Sequence, residues 1–237
     1  MAVDLGMGID TSVTPSLHPQ VIASLDDYDS ETEGYLQPAV EAFKLTYEGI
    51  GKVHAARDAV KNDPTMTEAA QIVRTADHAE KLYKDAAARF DKVTANMQSG
   101  IAKMEAELSR PVEARAAHTI AVEIRNHVRA MDSGKLHAFI RQAIVQGDEV
   151  TVSSVLGAPA YLSGLTPEFQ QTYTRMWHEK ANPVAAKRIR AMQGALDLLG
   201  TNAPLITKEL DRAIGVPPFK VKQYREAKAR ADKAFAG

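Results

Sequence analysis

The sequence predicts an all-α protein, and three observations lead to that prediction. Apolar residues recur every three or four positions over most of the chain, which is the spacing of one helix face. Proline and glycine fall mainly between these periodic stretches, where helices begin and end. Alternation of apolar and polar residues, which is typical of a strand, occurs only in EVTVSSV, a segment too isolated to pair.

Residues 1–34 form the first predicted segment, an extended acidic arm. They are poor in large apolar side chains and carry seven acidic residues with no Lys or Arg. A segment of this composition becomes ordered only when something holds it, so we expect a neighbouring molecule to pin it. Asp26, Asp27 and Asp29 are the candidate partner contacts; they lack the glycine and distal Glu of a calcium loop, and a solvated acidic loop is the alternative.

Residues 35–109 are predicted to form a long antiparallel helical hairpin that resembles a coiled coil. Asn62-Asp63-Pro64 breaks the first helix, and the second helix carries apolar residues at seven-residue spacing. The narrow seam is rich in alanine, so a partner helix can approach closely, and it predicts a homo-oligomer. One row of the seam contains Ala69, Ala76, Tyr83, Phe90, Met97 and Met104, and the other contains Ile72, Ala79, Ala86 and Val93.

Residues 110–216 are predicted to form a bundle of shorter helices. Proline and capping residues mark the boundaries, because proline fits the first helical position and Asp or Thr caps the preceding one. We expect a restart at Ser109-Arg110-Pro111, a cap at Asp148, starts at Thr166-Pro167 and Asn182-Pro183, and a separate short helix from Pro204 to Ile214.

Residues 217–237 are predicted to form a basic helix with six bases and two acids. Lys222, Arg225, Lys228 and Arg230 are its candidate partner contacts. Together with the acidic arm, this helix predicts head-to-tail contacts between copies or contacts with two different partners. Two solvated ends are the alternative.

No pattern in the chain predicts catalysis, a cofactor or a metal. His178-Glu179 resembles the start of a zinc-binding HExxH helix, but Asn182 stands where the second histidine is needed. His118, Glu123 and His127 spread around their helix instead of converging. Phosphate-binding loops and nucleophile elbows are missing from the sequence. We therefore expect a protein that is not an enzyme.

Composition limits the possible partners. A formal net charge of −1 gives no overall attraction for nucleic acid or an anionic membrane, and no apolar run is long enough to span a bilayer. The chain has no cysteine, which excludes disulfides and fits a reducing compartment. Direct nucleic-acid binding stays open, since Phe219 and Tyr224 accompany the basic C-terminal charges, but these charges are spread around the helix.

Residues 147–169, GDEVTVSSVLGAPAYLSGLTPEF, interrupt the helical pattern with three glycines and two prolines. We predict a packed corner between helices, with a left-handed helix end at Gly157, because its apolar side chains are too numerous to leave in water. Those side chains are Val152, Val155, Leu156, Tyr161, Leu162 and Leu165.

The stretch AIVQGDEVTVSSVLGAPAYLSGLTPEF, within residues 135–180, resembles uncharacterised helical proteins encoded among the head and tail genes of tailed phages and prophages. The resemblance implies a structural subunit of the virion at the head-to-tail connection, assembled in the host cytoplasm with portal or tail components. A scaffolding or ejected internal protein is the nearest alternative, and a nucleic-acid-associated helical protein is the second. The motif carries no catalytic residue.

Overall fold

The computed structural model describes residues 5–116 and 119–234, except for the side chains of Pro111 and Ala114. Helices account for most of these residues and no strand occurs among them, so the all-α prediction is confirmed. A 3₁₀ turn at Pro15–Leu17 and another at Ala160–Leu162 accompany the α-helices. These are α1 (Gln20–Ala23), α2 (Glu33–Lys61), α3 (Glu68–Arg115), α4 (Thr119–Arg129), α5 (Ser133–Gln146), α6 (Glu149–Leu156), α7 (Pro167–Ala181), α8 (Pro183–Ile214) and α9 (Pro218–Ala234).

The chain forms two compact units. The first contains residues 1–97 and 193–237, and the second contains residues 98–192. Helices α3 and α8 each contribute residues to both units. The unit boundaries therefore fall inside the predicted segments 35–109 and 110–216.

In the first unit, α2 and the N-terminal part of α3 pack as an antiparallel pair, as predicted. The rings of Phe43 and Phe90 have centroids 5.2 Å apart. Further along α2, a Cβ atom at Gly49 would lie 2.4 Å from Leu82, so glycine allows a close approach there. Residue numbers rise along α2 as they fall along α3, which is the register of an antiparallel hairpin.

Six of the ten residues of the predicted seam on α3 are buried; Ala69, Ile72 and Met104 are half-buried, and Tyr83 is exposed. Tyr83 is 43 % exposed although it belongs to the seven-residue row. The residues before and after it in the two rows are buried, so Tyr83 is an exposed position within an otherwise packed stretch of the helix. The buried members are Ala76, Ala79, Ala86, Phe90, Val93 and Met97.

Two predicted helix breaks are wrong. Helix α3 runs through Pro111 to Arg115, and α8 runs through Pro204 to Ile214. An internal proline removes one backbone hydrogen bond, but burial of apolar residues beside it offsets that cost. Val112, next to Pro111, is buried, and so is Ile206, two residues after Pro204. By contrast, the predicted starts of α7 and α8 at Pro167 and Pro183 are confirmed.

Residues 5–32, which we call the strap, are not an extended arm. They include the 3₁₀ turn and α1, and both pack against α2. Five of their apolar side chains enter the core of the first unit, which overrides the polar composition of the segment. The buried side chains are Val13, Leu17, Ile22, Ala23 and Tyr28.

In the second unit, α6 packs against α4, α5 and α7. The central side chains come from all four helices, so this unit has an apolar core of its own. They include Val128, Leu136, Ile140, Val152, Val155 and the single tryptophan, Trp177.

Residues 147–169, which we call the corner, are packed in the second unit as predicted. Val152, Val155, Leu156 and Leu165 are buried, but Tyr161 is 70 % exposed, so its predicted burial is wrong.

The predicted left-handed helix end at Gly157 is also wrong, because its φ is −81°. Glycine is needed there for space, since a Cβ would lie 2.4 Å from the carbonyl oxygen of Val112.

Candidate interaction surface on α3, α8 and α9

A groove in the first unit is bounded by α3, α8 and α9 and encloses about 480 Å³. This volume falls in the range of about 300–1,000 Å³ that is typical of binding clefts. The inner surface is apolar and is supplied by Ala76 and Ala79 on α3, Leu210 on α8 and Val221 on α9. Because alanine side chains are short, the α3 wall leaves room for a larger side chain from outside.

The turn between α8 and α9 positions the third wall of the groove. Helix α8 ends at Ile214, and the next residue, Gly215, has φ +80° and donates its backbone N–H to the carbonyl of Asp211. Pro218 then begins α9. A left-handed residue ends the helix and reverses the chain, so α9 returns alongside α3.

The rim of the groove carries charges of both signs. Arg225 on α9 bonds to Asp77 at 2.6 Å and to Glu80 at 3.0 Å, both on α3. Lys84 also bonds to Glu80 at 2.9 Å. The bond and charge of Lys84, followed by those of Arg225, hold the pKa of Glu80 below its usual value. The two bonds of Arg225 fasten α9 to α3.

The four predicted basic contacts on α9 therefore differ in role. Arg225 meets acidic residues of its own chain, whereas Lys222 lies exposed along the groove. Lys228 and Arg230 are exposed and lie outside the lining of the groove. Only three of the four cations are thus available to an external partner.

The predicted acidic contacts in the strap organise the turn that precedes α2. The Thr32 hydroxyl donates to the carbonyl of Asp27 at 2.6 Å, and the Asp29 carboxylate accepts the N–H of Glu31 at 2.9 Å. Asp26 is exposed. Asp27 and Asp29 thus have a local structural role in addition to any contact with a partner.

The histidines that the sequence raised as candidates have different surroundings. His178 is buried in the second unit, and burial lowers the pKa of its imidazole. His127 packs edge-on against Phe139. His118 lies outside the described residues. Within the part of the chain that the structure describes, no group of three or more His, Cys, Asp or Glu side chains could hold a metal.

An aromatic cluster in the second unit was not predicted. The hydroxyl of Tyr173 and Nδ1 of His137 lie 2.9 Å apart, and Phe169 packs on the same imidazole with centroids 4.3 Å apart. Phe169 and Tyr173 share one face of α7, but His137 comes from α5. The sequence showed only that Phe169 and Tyr173 are four residues apart on one helix, and it gave no sign that His137 of α5 packs against them.

Along residues 5–116 and 119–234, no helix combines the length and the apolar character needed to cross a membrane.

Comparisons with known proteins give no relative. No protein-family model matches the chain, and neither a curated protein nor a solved structure matches it.

Proposed function

We propose that this chain is a non-enzymatic structural subunit of a phage particle, at the head-to-tail connection, and that it assembles through the groove on α3, α8 and α9. The groove carries the proposal, because it combines an apolar floor with the exposed ring of Tyr83 at its edge. Apolar surface surrounded by polar residues is typical of a protein contact. The phage context comes from the resemblance of residues 135–180.

A second copy of the chain is the partner that fits the rim best. A two-fold contact places the same surface on both copies, so each surface must carry complementary groups. Asp211 and Glu226 supply negative charge along the groove, and Lys222 supplies positive charge, whereas Glu80 and Arg225 are paired with each other within the chain. Portal or tail components are further partners in the proposed particle, and a scaffolding or ejected internal protein is the nearest alternative role.

Size-exclusion chromatography with light scattering, with and without co-expressed products of neighbouring genes, tests the assembly. We expect the wild-type chain to form an oligomer and Tyr83→Glu to weaken it at least about tenfold, since a buried unpaired carboxylate is costly. Tyr161→Glu is the matched control, because Tyr161 is exposed in the second unit. A wild-type monomer under both conditions, or equal effects of the two variants, would contradict the proposal.

Mass spectrometry of purified particles tests the phage context separately. We expect the chain to be present in stoichiometric amounts in the mature particle. Its loss before maturation would favour a scaffolding role, and its absence from every particle form would contradict the virion assignment.

A DNA-binding assay tests the remaining alternative, a nucleic-acid-associated helical protein. Replacing Lys222, Lys228 and Arg230 by Gln removes the three predicted contacts that are exposed and leaves Arg225 bound to α3. We expect only weak wild-type DNA binding at physiological salt. Tight binding that this triple variant abolishes while assembly survives would instead favour a nucleic-acid-associated protein.

A further inference from the structure

The side chain of Tyr47 on α2 fastens the beginning of the strap. The Tyr47 hydroxyl accepts the N–H of Asp10 at 2.7 Å and donates to the carbonyl of the same residue at 2.9 Å. The Asp10 carboxylate lies against Gly51, where a Cβ would come within 2.5 Å of it. The strap thus follows α2 where the helix has no side chain.

Helix α8 holds the next residues of the strap. The carboxylate of Glu209 is buried, and it accepts the N–H of Thr14 at 3.1 Å and pairs with Arg212 at 2.9 Å. The Arg212 guanidinium also donates to the carbonyl of Ser12. We call Tyr47, Glu209, Arg212 and the backbone of residues 10–14 the latch.

His54 lies beside the latch, one helical turn after Gly51. Its Nε2 is shut off from solvent and has no hydrogen-bond partner among the described residues. Burial lowers the pKa of the imidazole, and the charges of Arg57 and Arg212 lower it further. Asp10 and Glu209 act in the opposite direction but do not restore the usual value. These four charged groups come from the strap, α2 and α8.

We propose that protonation of His54 opens the latch, so that residues 5–14 lift off at mildly acidic pH while Leu17 and Ile22 stay packed. A charged imidazole whose buried Nε2 has no acceptor is poorly accommodated while the latch is closed. Lifting these residues gives the ring access to water. The inference does not depend on the proposed assembly role.

The direction of the pH dependence follows from proton binding. Opening relieves the burial of His54, which is the largest cause of its lowered pKa, so the pKa of the open form is higher than that of the closed form, with the usual value of about 6.5 as its upper limit. The open form therefore binds more protons. The closed latch has its full stability above about pH 6.5 and loses it as the pH falls toward the closed-form pKa. Between pH 7.5 and 5.0 the ratio of open to closed molecules rises by at most about 30-fold.

Hydrogen exchange of peptides covering residues 5–14, read by mass spectrometry and corrected for intrinsic rates, tests the latch. We expect protection to fall between pH 7.5 and 5.0, by at most about 30-fold. His54→Gln cannot be protonated and should remove this dependence. His178→Gln, which changes a buried histidine of the second unit, should retain it.

A fall below about twofold in the wild-type protein, or the same fall in His54→Gln, would overturn the proposal. The second outcome would instead point to His18, the histidine of the strap itself. If His54→Gln does not fold, an NMR titration of wild-type His54 replaces it. The pH midpoint of the His54 titration must then coincide with the pH midpoint at which residues 5–14 lose protection. Two different midpoints would contradict the proposal.

Discussion

The strap and the corner are both interrupted by glycine and proline, and both are packed, yet only the corner's packing was predicted. The bonds that hold the corner are local: Ser163 donates to Val155 eight residues away, and Gln170 donates to Leu156 fourteen residues away. The strap depends on Glu209, which accepts from Thr14 across 195 residues. Composition predicts packing where the partners are close in sequence. It gives no local sign of a segment held by side chains from the far end of the chain.

The largest expected effect concerns the apolar anchor of the strap. Leu17 is fully buried, so Leu17→Ala should lower the free energy of unfolding by about 3 kcal/mol through lost burial and the cavity left behind. Chemical denaturation measures the change. Ile9→Ala is the control within the strap, because Ile9 is exposed and its truncation should change stability by less than about 0.5 kcal/mol. Equal small effects of both variants would mean that the strap is only a surface arm.

An intermediate effect is expected at the closest contact of the corner. Gly157→Ala should destabilise the protein by about 2 kcal/mol, because the new methyl group meets the backbone of Val112 and Ser153. Gly200→Ala is the matched control in α8, where a Cβ meets nothing within 4 Å. That variant should stabilise by about 0.5–1 kcal/mol through helix propensity. If Gly157→Ala left the free energy of unfolding unchanged, the backbone around Gly157 would be able to shift to admit the methyl group. Tight local packing would then no longer distinguish the corner from the strap.

The smallest effects are expected when one side chain that hydrogen-bonds to the backbone is replaced in each region. Tyr47→Phe removes the hydroxyl that bonds to Asp10, and Gln170→Leu removes the amide that donates to Leu156 at 2.7 Å and Ala158 at 2.6 Å. Each should cost about 1 kcal/mol in the free energy of unfolding, the net value of such bonds. Chemical denaturation measures both changes. If only Gln170→Leu lowers the free energy of unfolding, the local bonds stabilise the corner, whereas the bond from Tyr47 to Asp10 does not stabilise the strap.

The fold could be predicted where the sequence carries local signals. Thr166 caps α7 by accepting the N–H of Phe169, and Asp148 caps α6 by accepting that of Thr151. Proline was a poorer guide, because Pro111 and Pro204 stand inside helices. Whether a helix survives an internal proline depends on the burial of the turns around it, and burial is set by the rest of the fold.

The candidate surface could be predicted only in part. The seam on α3 was visible as a seven-residue spacing, but its division into a buried part and the exposed Tyr83 depends on where α8 and α9 lie. Arg225 was predicted to contact a neighbour, and it binds Asp77 on α3. The latch had one usable signal, since Glu209 is an acid between the buried apolar residues Ile206 and Leu210. Such a carboxylate needs a partner, but the sequence does not say that Thr14 supplies it.

The position of the single tryptophan gives the protein a built-in optical probe. Trp177 is buried in the core of the second unit, and no tryptophan occurs in the first. Excitation at the red edge of protein absorption selects indole over phenol, so the emission reports solvent exposure in the second unit alone. Far-ultraviolet circular dichroism records helices of both units. Denaturation curves from the two signals coincide if the units unfold together and separate if they unfold in turn.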